Sequence, residues 1–402
     1  MMAMWDSQQI PLFLLERSRP EVEIAMSVAT LLGYSFVTKQ ELSETVSVHP
    51  LIRASVRSWL KSEGRLVTVA SMALEVMAQE FPTGKHENRD LCRMLLPHAH
   101  AVLQQNMNHS GGNVTHATLL FRMACHEWQS GQYVEAHHHS REAYRIRQRL
   151  TGDEREETLE SLSLLAVILE AQGKYRQAEE MHWRALPGWE KVLGVDHPLT
   201  LTSVNNLASV LRNQGKYEQA EEMNRRALAG REKVLGVDHP DTLSSVNDLA
   251  WLLQDQGKYK QAEEMHWRAL AGREKTLGVD HPDTLTSVNN LASVLEDQGK
   301  YELAEEIHRR ALAGREKVLG VDHPDTLTSV NDLACVLQGQ GKYKQAEEMH
   351  WRALAGYEKV LGVDHPHTLT SVTNLAWLLR DQDKYEQAEE MHRRALAGGR
   401  RH

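Results

Sequence analysis

The chain has 402 residues, with 46 Lys and Arg against 55 Asp and Glu and a formal net charge of -9. That balance excludes broad affinity for nucleic acid, which needs clustered cations against phosphates. Three cysteines without CxxC spacing exclude a disulfide framework and point to a reducing, cytoplasmic compartment, while the only early apolar run, Ile10 to Leu15, is interrupted by Pro11 and too short to enter a membrane.

In chain order, residues 1–113 read as helices near Glu21–Leu32, Val48–Lys61, Leu66–Phe81 and Asn88–Gln104, with no copy of the pattern that follows. The stretch VHPLIRASVRSWLKSEG from Val48, a helix ending in Phe81 and Pro82, and LCRMLLPHAHAVL from Leu91 resemble the end of the nucleotide-binding module of fungal NOD-like ATPases. There a winged-helix-like part joins that module to helical repeats. The resemblance implies that His49 falls on the family's histidine that faces the nucleotide phosphates; the residues alone make His49 a helix start. No GxxxxGK[ST] phosphate loop accompanies it, because each Gly-Lys pair is followed by Tyr or His. Without that backbone cradle and Mg²⁺-binding hydroxyl the chain is not expected to be an enzyme, and no cofactor is expected.

Beyond this segment the sequence repeats at an offset of 42 residues, with Tyr133, Tyr175, Tyr217, Tyr259, Tyr301, Tyr343 and Tyr385 in register. In one unit Val204, Leu207, Ala208 and Leu211 recur at helical spacing and mark the buried face of a first helix, near Leu199–Gln214. Gly215 follows at a C-cap position, and Tyr217, Ala220, Met223, Ala227, Leu228, Val234 and Leu235 mark a longer second helix ended by Gly236. The unit is a helix hairpin whose small residues Ala208 and Ala220 permit close approach.

The row Leu207, Ala208, Leu211, Gly215, Tyr217, Ala220, Ala227 and Leu228 resembles the tetratricopeptide repeat, in the 42-residue form found in kinesin light chains and fungal NOD-like receptors. The resemblance implies an all-α fold, a right-handed superhelical solenoid of seven tetratricopeptide-type hairpins preceded by the small helical winged-helix-like segment. The array would occupy residues 114–402, with units near 116–157, 158–197, 198–239, 240–281, 282–323, 324–365 and 366–402.

Several constellations read as structural. His137, His138 and His139 diverge around a helix and form a solvated face. His182, His266, His308, His350 and His392 recur one repeat apart, about 10 Å by helix packing, too far to share a metal. They are expected to fill space between hairpins with a ring nitrogen bonded to backbone or Glu, and no metal site is expected. His239, His281, His323 and His365 precede prolines and read as helix caps. Glu221 and Glu222 diverge on a surface rich in Arg and Lys, which favours i,i+4 pairing over paired catalytic acids.

The first-helix columns turned away from the core differ between copies, and by resemblance they line the inner groove. Asn205, Asn206, Asn247, Asn289, Asn290, Asn331 and Asn374 would hold a ligand's backbone. One column reads Ser209, Trp251, Ser293, Cys335 and Trp377, in which the indoles would serve as anchors. Asp248, Asp255, Glu296, Asp297, Asp332 and Asp381 make the groove acidic against Arg212 and Arg380, so a ligand with Lys or Arg and an apolar anchor would complement it.

These features imply a protein-interaction scaffold or ligand-sensing module of the fungal NOD-like receptor type, binding a protein or peptide in its concave groove, with no nucleic acid or membrane partner. A kinesin-light-chain-like cargo adaptor is one alternative, although its basic groove and heptad coiled coil are not matched here. The other is the regulatory half of a nucleotide hydrolase whose phosphate loop lies outside this chain. Ala395 and Leu396 with Leu375 and Leu379 are expected to form an uncapped apolar patch that favours self-association.

Overall fold

The computed structural model describes residues 1–17, 21–40, 44–83, 88–106 and 112–399; residues 400–402 of the last repeat lie outside them. The chain divides into two compact units, Met1–Val210 and Leu211–His402.

Unit 1 opens with α1 (Leu12–Glu16), α2 (Glu21–Gly33), α3 (Pro50–Ser62), α4 (Leu66–Glu80) and α5 (Arg89–Asn106). Helices α2 to α5 fall where the sequence predicts them, but the prediction omits α1 and three short strands, β1 (Ile10–Pro11), β2 (Val37–Gln40) and β3 (Thr45–Val48). They form an antiparallel sheet in the order β1-β3-β2, pairing Ile10 with Val46 and Val37 with Val48. Strands of two to four residues are too short to display alternation, and Val48, read as the start of a helix, instead ends β3. Ile10 and Val46 turn into a core shared with Trp5, Leu74 and Phe81. Hairpins α6 (Val114–Gln129)/α7 (Tyr133–Thr151) and α8 (Glu156–Ala171)/α9 (Tyr175–Leu193) follow, then α10 (Pro198–Asn213), inside which the division falls.

Unit 2 continues with α11 (Tyr217–Leu235) and the hairpins α12 (Pro240–Asp255)/α13 (Tyr259–Leu277), α14 (Pro282–Asp297)/α15 (Tyr301–Leu319), α16 (Pro324–Gly339)/α17 (Tyr343–Leu361) and α18 (Pro366–Asp381)/α19 (Tyr385–Gly399). Each first helix starts as its sequence dictates. The Nδ1 of His239, His281, His323 and His365 accepts the N–H two residues on at 3.2 Å, and Pro, which has no N–H to satisfy, follows the cap. The chain then turns through Gly257, Gly299 and Gly341 at φ of 72 to 74°, where a Cβ would be strained. In the last hairpin Asp383 holds that position at φ 60°. Ala250 and Ala262, with their copies Ala292 and Ala304, are fully buried, and a Cβ on Gly272 would stand 2.6 Å from Leu243 Cδ2. The helices of a hairpin thus meet through small residues.

Consecutive hairpins are joined with a fixed polarity. Buried Arg273 donates to the Asp283 carbonyl at 3.0 Å and to Ser287 Oγ at 2.8 Å in the next first helix, and Arg231 and Arg315 repeat the arrangement. Each buried charge is met by acceptors in the first turns of the following helix. On the surface Lys258, Lys300, Lys342 and Lys384 reach back to Glu221, Glu263, Glu305 and Glu347 of the preceding hairpin at 2.7 to 2.9 Å. Lys258, with Arg225 and Gln256, holds the Glu221 carboxyl down at about 2. Glu221 and Glu305 therefore do form i,i+4 pairs, with Arg225 at 2.7 Å and Arg309 at 2.8 Å, and bridge repeats as well.

Leu396 is 64% exposed, against 1 to 8% for its copies Leu228, Leu270, Leu312 and Leu354. Leu375 and Leu379, expected in the same patch, are instead buried against Leu354 and Ala388. They face the preceding hairpin, so the apolar edge centres on Leu396 alone. Among the described residues no helix is long and apolar enough to cross a membrane.

Candidate functional site

The first helices of unit 2 lie side by side and are bonded laterally through the columns that differ between repeats. Arg212 pairs with Asp255 at 2.9 Å, Gln254 donates to Asp297 Oδ2 at 2.6 Å, and Gln338 donates to Asp381 Oδ2 at 2.6 Å. Asn289 Nδ2 donates to Asp332 Oδ2 at 2.5 Å. Four acidic positions of the groove column therefore already hold a neighbour, which fixes their orientation and spends part of their charge.

Charge remains at the middle of the strip. Burial, then Asp297 and then Asp332 push the Glu296 carboxyl up to about 7, and burial raises Asp332 to about 6. Arg315 offsets part of this at Asp332, but none of the causes at Glu296 is a cation, and an incoming ammonium or guanidinium would relieve its repulsion from Asp297 and Asp332. The same field, after burial, pushes the Cys335 thiol up to about 12, so Cys335 is a packing residue and not a nucleophile.

The tryptophans differ. Trp377 is 54% exposed, with the Arg380 guanidinium 5.7 Å from its ring centroid. Trp251 is half-buried and sets its ring at 80° to His266, 5.7 Å between centroids, so it is partly a core residue. Asn206, Asn290 and Asn374 are half-buried at the strip's edge, Asp248 is exposed, and Ser209 in unit 1 donates to Glu170 at 2.7 Å.

Asn247, Asn289 and Asn331 are not available to a ligand as the columns suggested. They are 6 to 8% exposed, and their Oδ1 atoms lie 3.2, 3.1 and 3.0 Å from Nδ1 of His266, His308 and His350 in the same hairpin. For His266, His308 and His350 the partner is thus a first-helix asparagine, not backbone or Glu. Spacing alone did not show that this column rotates inward beside the second helix. Burial holds His182, His266, His308 and His350 down at about 4, neutral at physiological pH.

His49 is exposed and caps α3, its Nδ1 accepting the Leu51 N–H at 3.3 Å, the same role as the connector histidines. His139, expected on a solvated face, is half-buried and lies 2.8 Å from Oε2 of the buried Glu127, because α7 turns that side toward α6. Among the described residues no cluster of three His, Cys, Asp or Glu is arranged to hold a metal.

The sequence profile of the family described as "Tetratricopeptide repeat" matches residues 114–191, 182–233, 199–275, 252–317, 283–359 and 340–401. A nucleotide-binding leucine-rich repeat (NLR)-like protein of Hyaloscypha variabilis is 37% identical over 137 residues, 34% of this chain and 14% of that protein. The chain therefore matches only about a seventh of that relative's length. A crystal structure of nearly identical repeats from a putative kinesin light chain of Podosopora anserina is 30% identical, covering 50% of this chain and 96% of that one, with a TM-score of 0.43. A signal transduction ATPase with a tetratricopeptide repeat sensor from Pyrococcus horikoshii shares the fold at 14% identity, covering 97% of this chain and 61% of that one, with a TM-score of 0.50.

Proposed function

The chain belongs to the tetratricopeptide repeat family, and on that premise we propose that it is a protein-interaction scaffold of the NOD-like receptor type, taking a peptide along the first helices of unit 2. The observation that carries this reading is the exposed indole of Trp377, held under Arg380 at one end of an acidic ladder whose centre groups Glu296, Asp297 and Asp332, with Glu296 pushed up to about 7 by burial and by its two acidic neighbours. A ligand with an apolar side chain for Trp377 and a Lys or Arg for the carboxylates would gain from both.

The relative of the NLR-like type supports a receptor over a cargo adaptor. On this reading residues 1–113 are the winged-helix-like end of a nucleotide-binding module, a view supported by the β2–β3 hairpin beside α2 and α3. Selection of displayed random peptides on the full chain tests the proposal. Enriched sequences should pair Lys or Arg with an aromatic or aliphatic residue and should disappear when the bait carries Trp377→Ala with Glu296→Gln. Enrichment of acidic peptides, or enrichment indifferent to that variant, would refute it.

A further inference from the structure

We propose that the cleft between α3, α4 and α5 binds a phosphate-bearing anion, with Arg53, Arg57 and Lys61 as the charge that holds it. The cleft encloses about 690 Å³, within the range of small-ligand sites. Its cationic wall is one face of α3, since residues 53, 57 and 61 follow at four-residue steps and span about 12 Å of helix. Gln104 and Gln105 of α5 stand across from it, and Leu66, Val67, Ala70 and Ala101 supply an apolar floor.

No carboxylate is among the residues lining this cleft, in a chain whose net charge is -9. No ion pair to Arg57 or Lys61 is found among the described residues. Arg53 is fixed by donating Nε–H to the Ala3 carbonyl at 3.2 Å, and its guanidinium is destabilised first by burial and next by Arg57, with a smaller opposing contribution from Asp6, which is not among the lining residues. The two guanidinium groups are thus held close enough to repel each other. A phosphate bridging them would remove that repulsion and accept two forked donors, with the Lys61 ammonium as a point charge for a second phosphate. The floor suits an uncharged ester group. The site needs no phosphate loop and no Mg²⁺, and His49 is not among its lining residues. It is independent of the peptide-binding reading, since every group in it belongs to unit 1.

Calorimetric titration of the full chain, at low salt and without Mg²⁺, tests the site with inorganic pyrophosphate, ADP and a Glu-rich decapeptide. Saturable 1:1 binding of pyrophosphate or ADP is expected, weakened tenfold or more in Arg57→Gln with Lys61→Gln and unchanged in Arg145→Gln, on a separate basic surface. Tighter binding of ADP than of pyrophosphate would place the ester on the apolar floor, and equal binding would identify the free anion as the ligand; both uphold the site. Should the double variant lose helicity, Lys61→Ala alone, at an exposed position, should still weaken binding threefold or more. Absence of saturable heat with both phosphates, equal affinity in the variants, or binding of the decapeptide alone would overturn the proposal.

Discussion

Replacing His308 by Asn should remove about 2 kcal/mol of the stability that the array loses between pH 7.5 and pH 5.0. The ring is 1% exposed, and burial, with a smaller contribution from Arg315, lowers its pKa from 6.5 to about 4. Above pH 6.5 it is neutral in both folded and unfolded chains and contributes no pH dependence. Below that the unfolded ring takes a proton that the folded ring refuses, so stability falls with pH until the folded ring also titrates near 4. Linkage puts the loss at about 2 kcal/mol by pH 5 and about 3 kcal/mol when complete. Asn is chosen because Asn224 holds the same column in an earlier repeat and is itself buried. The variant loses stability at neutral pH along with the bond to Asn289, so the quantity to compare is the change between pH 7.5 and 5.0, from urea unfolding followed by circular dichroism. An unchanged pH dependence in His308→Asn would show that the ring is already protonated or hydrated in the native state. His182, His266 and His350 are buried alike, and each should behave in the same way.

Other outcomes follow from burial that differs between copies of one residue. Leu354→Ala, at a position 1% exposed, should cost about 3 kcal/mol, whereas Leu396→Ala in the last hairpin should cost under about 0.5 kcal/mol, both by urea unfolding. Asp383→Gly should stabilise the last hairpin by about 0.5 to 1 kcal/mol in amide exchange, since it relieves the left-handed conformation at the loss of the 2.7 Å bond from Tyr385. Trp377→Ala should weaken a selected peptide by about 2 kcal/mol with an unchanged melting temperature, while Trp251→Ala should also lower the melting temperature because of its contact with His266.

The hairpins were legible because one 3.6-residue apolar pattern is copied many times, and the connector histidines could be read as caps because Pro follows each of them. The strands β1 to β3 were not, since each is too short to show alternation. At the groove the exposure of the Trp377 indole was legible. The inward rotation of Asn247, Asn289 and Asn331 was not, because an Asn can face either water or a buried ring with the same spacing. Arg231, Arg273 and Arg315 were hidden among surface cations for a related reason: their acceptors are carbonyls and serines of the next repeat, which no local pattern reveals.

Hydrogen exchange of the full chain with and without a selected basic, apolar-anchored peptide tests the central claim most directly. The account predicts that protection from the peptide falls on α14, α16 and α18, strongest around Glu296, Asp332 and Trp377, and is lost with Trp377→Ala. Protection confined to the second helices α13, α15 and α17, or to residues 1–106, would contradict it.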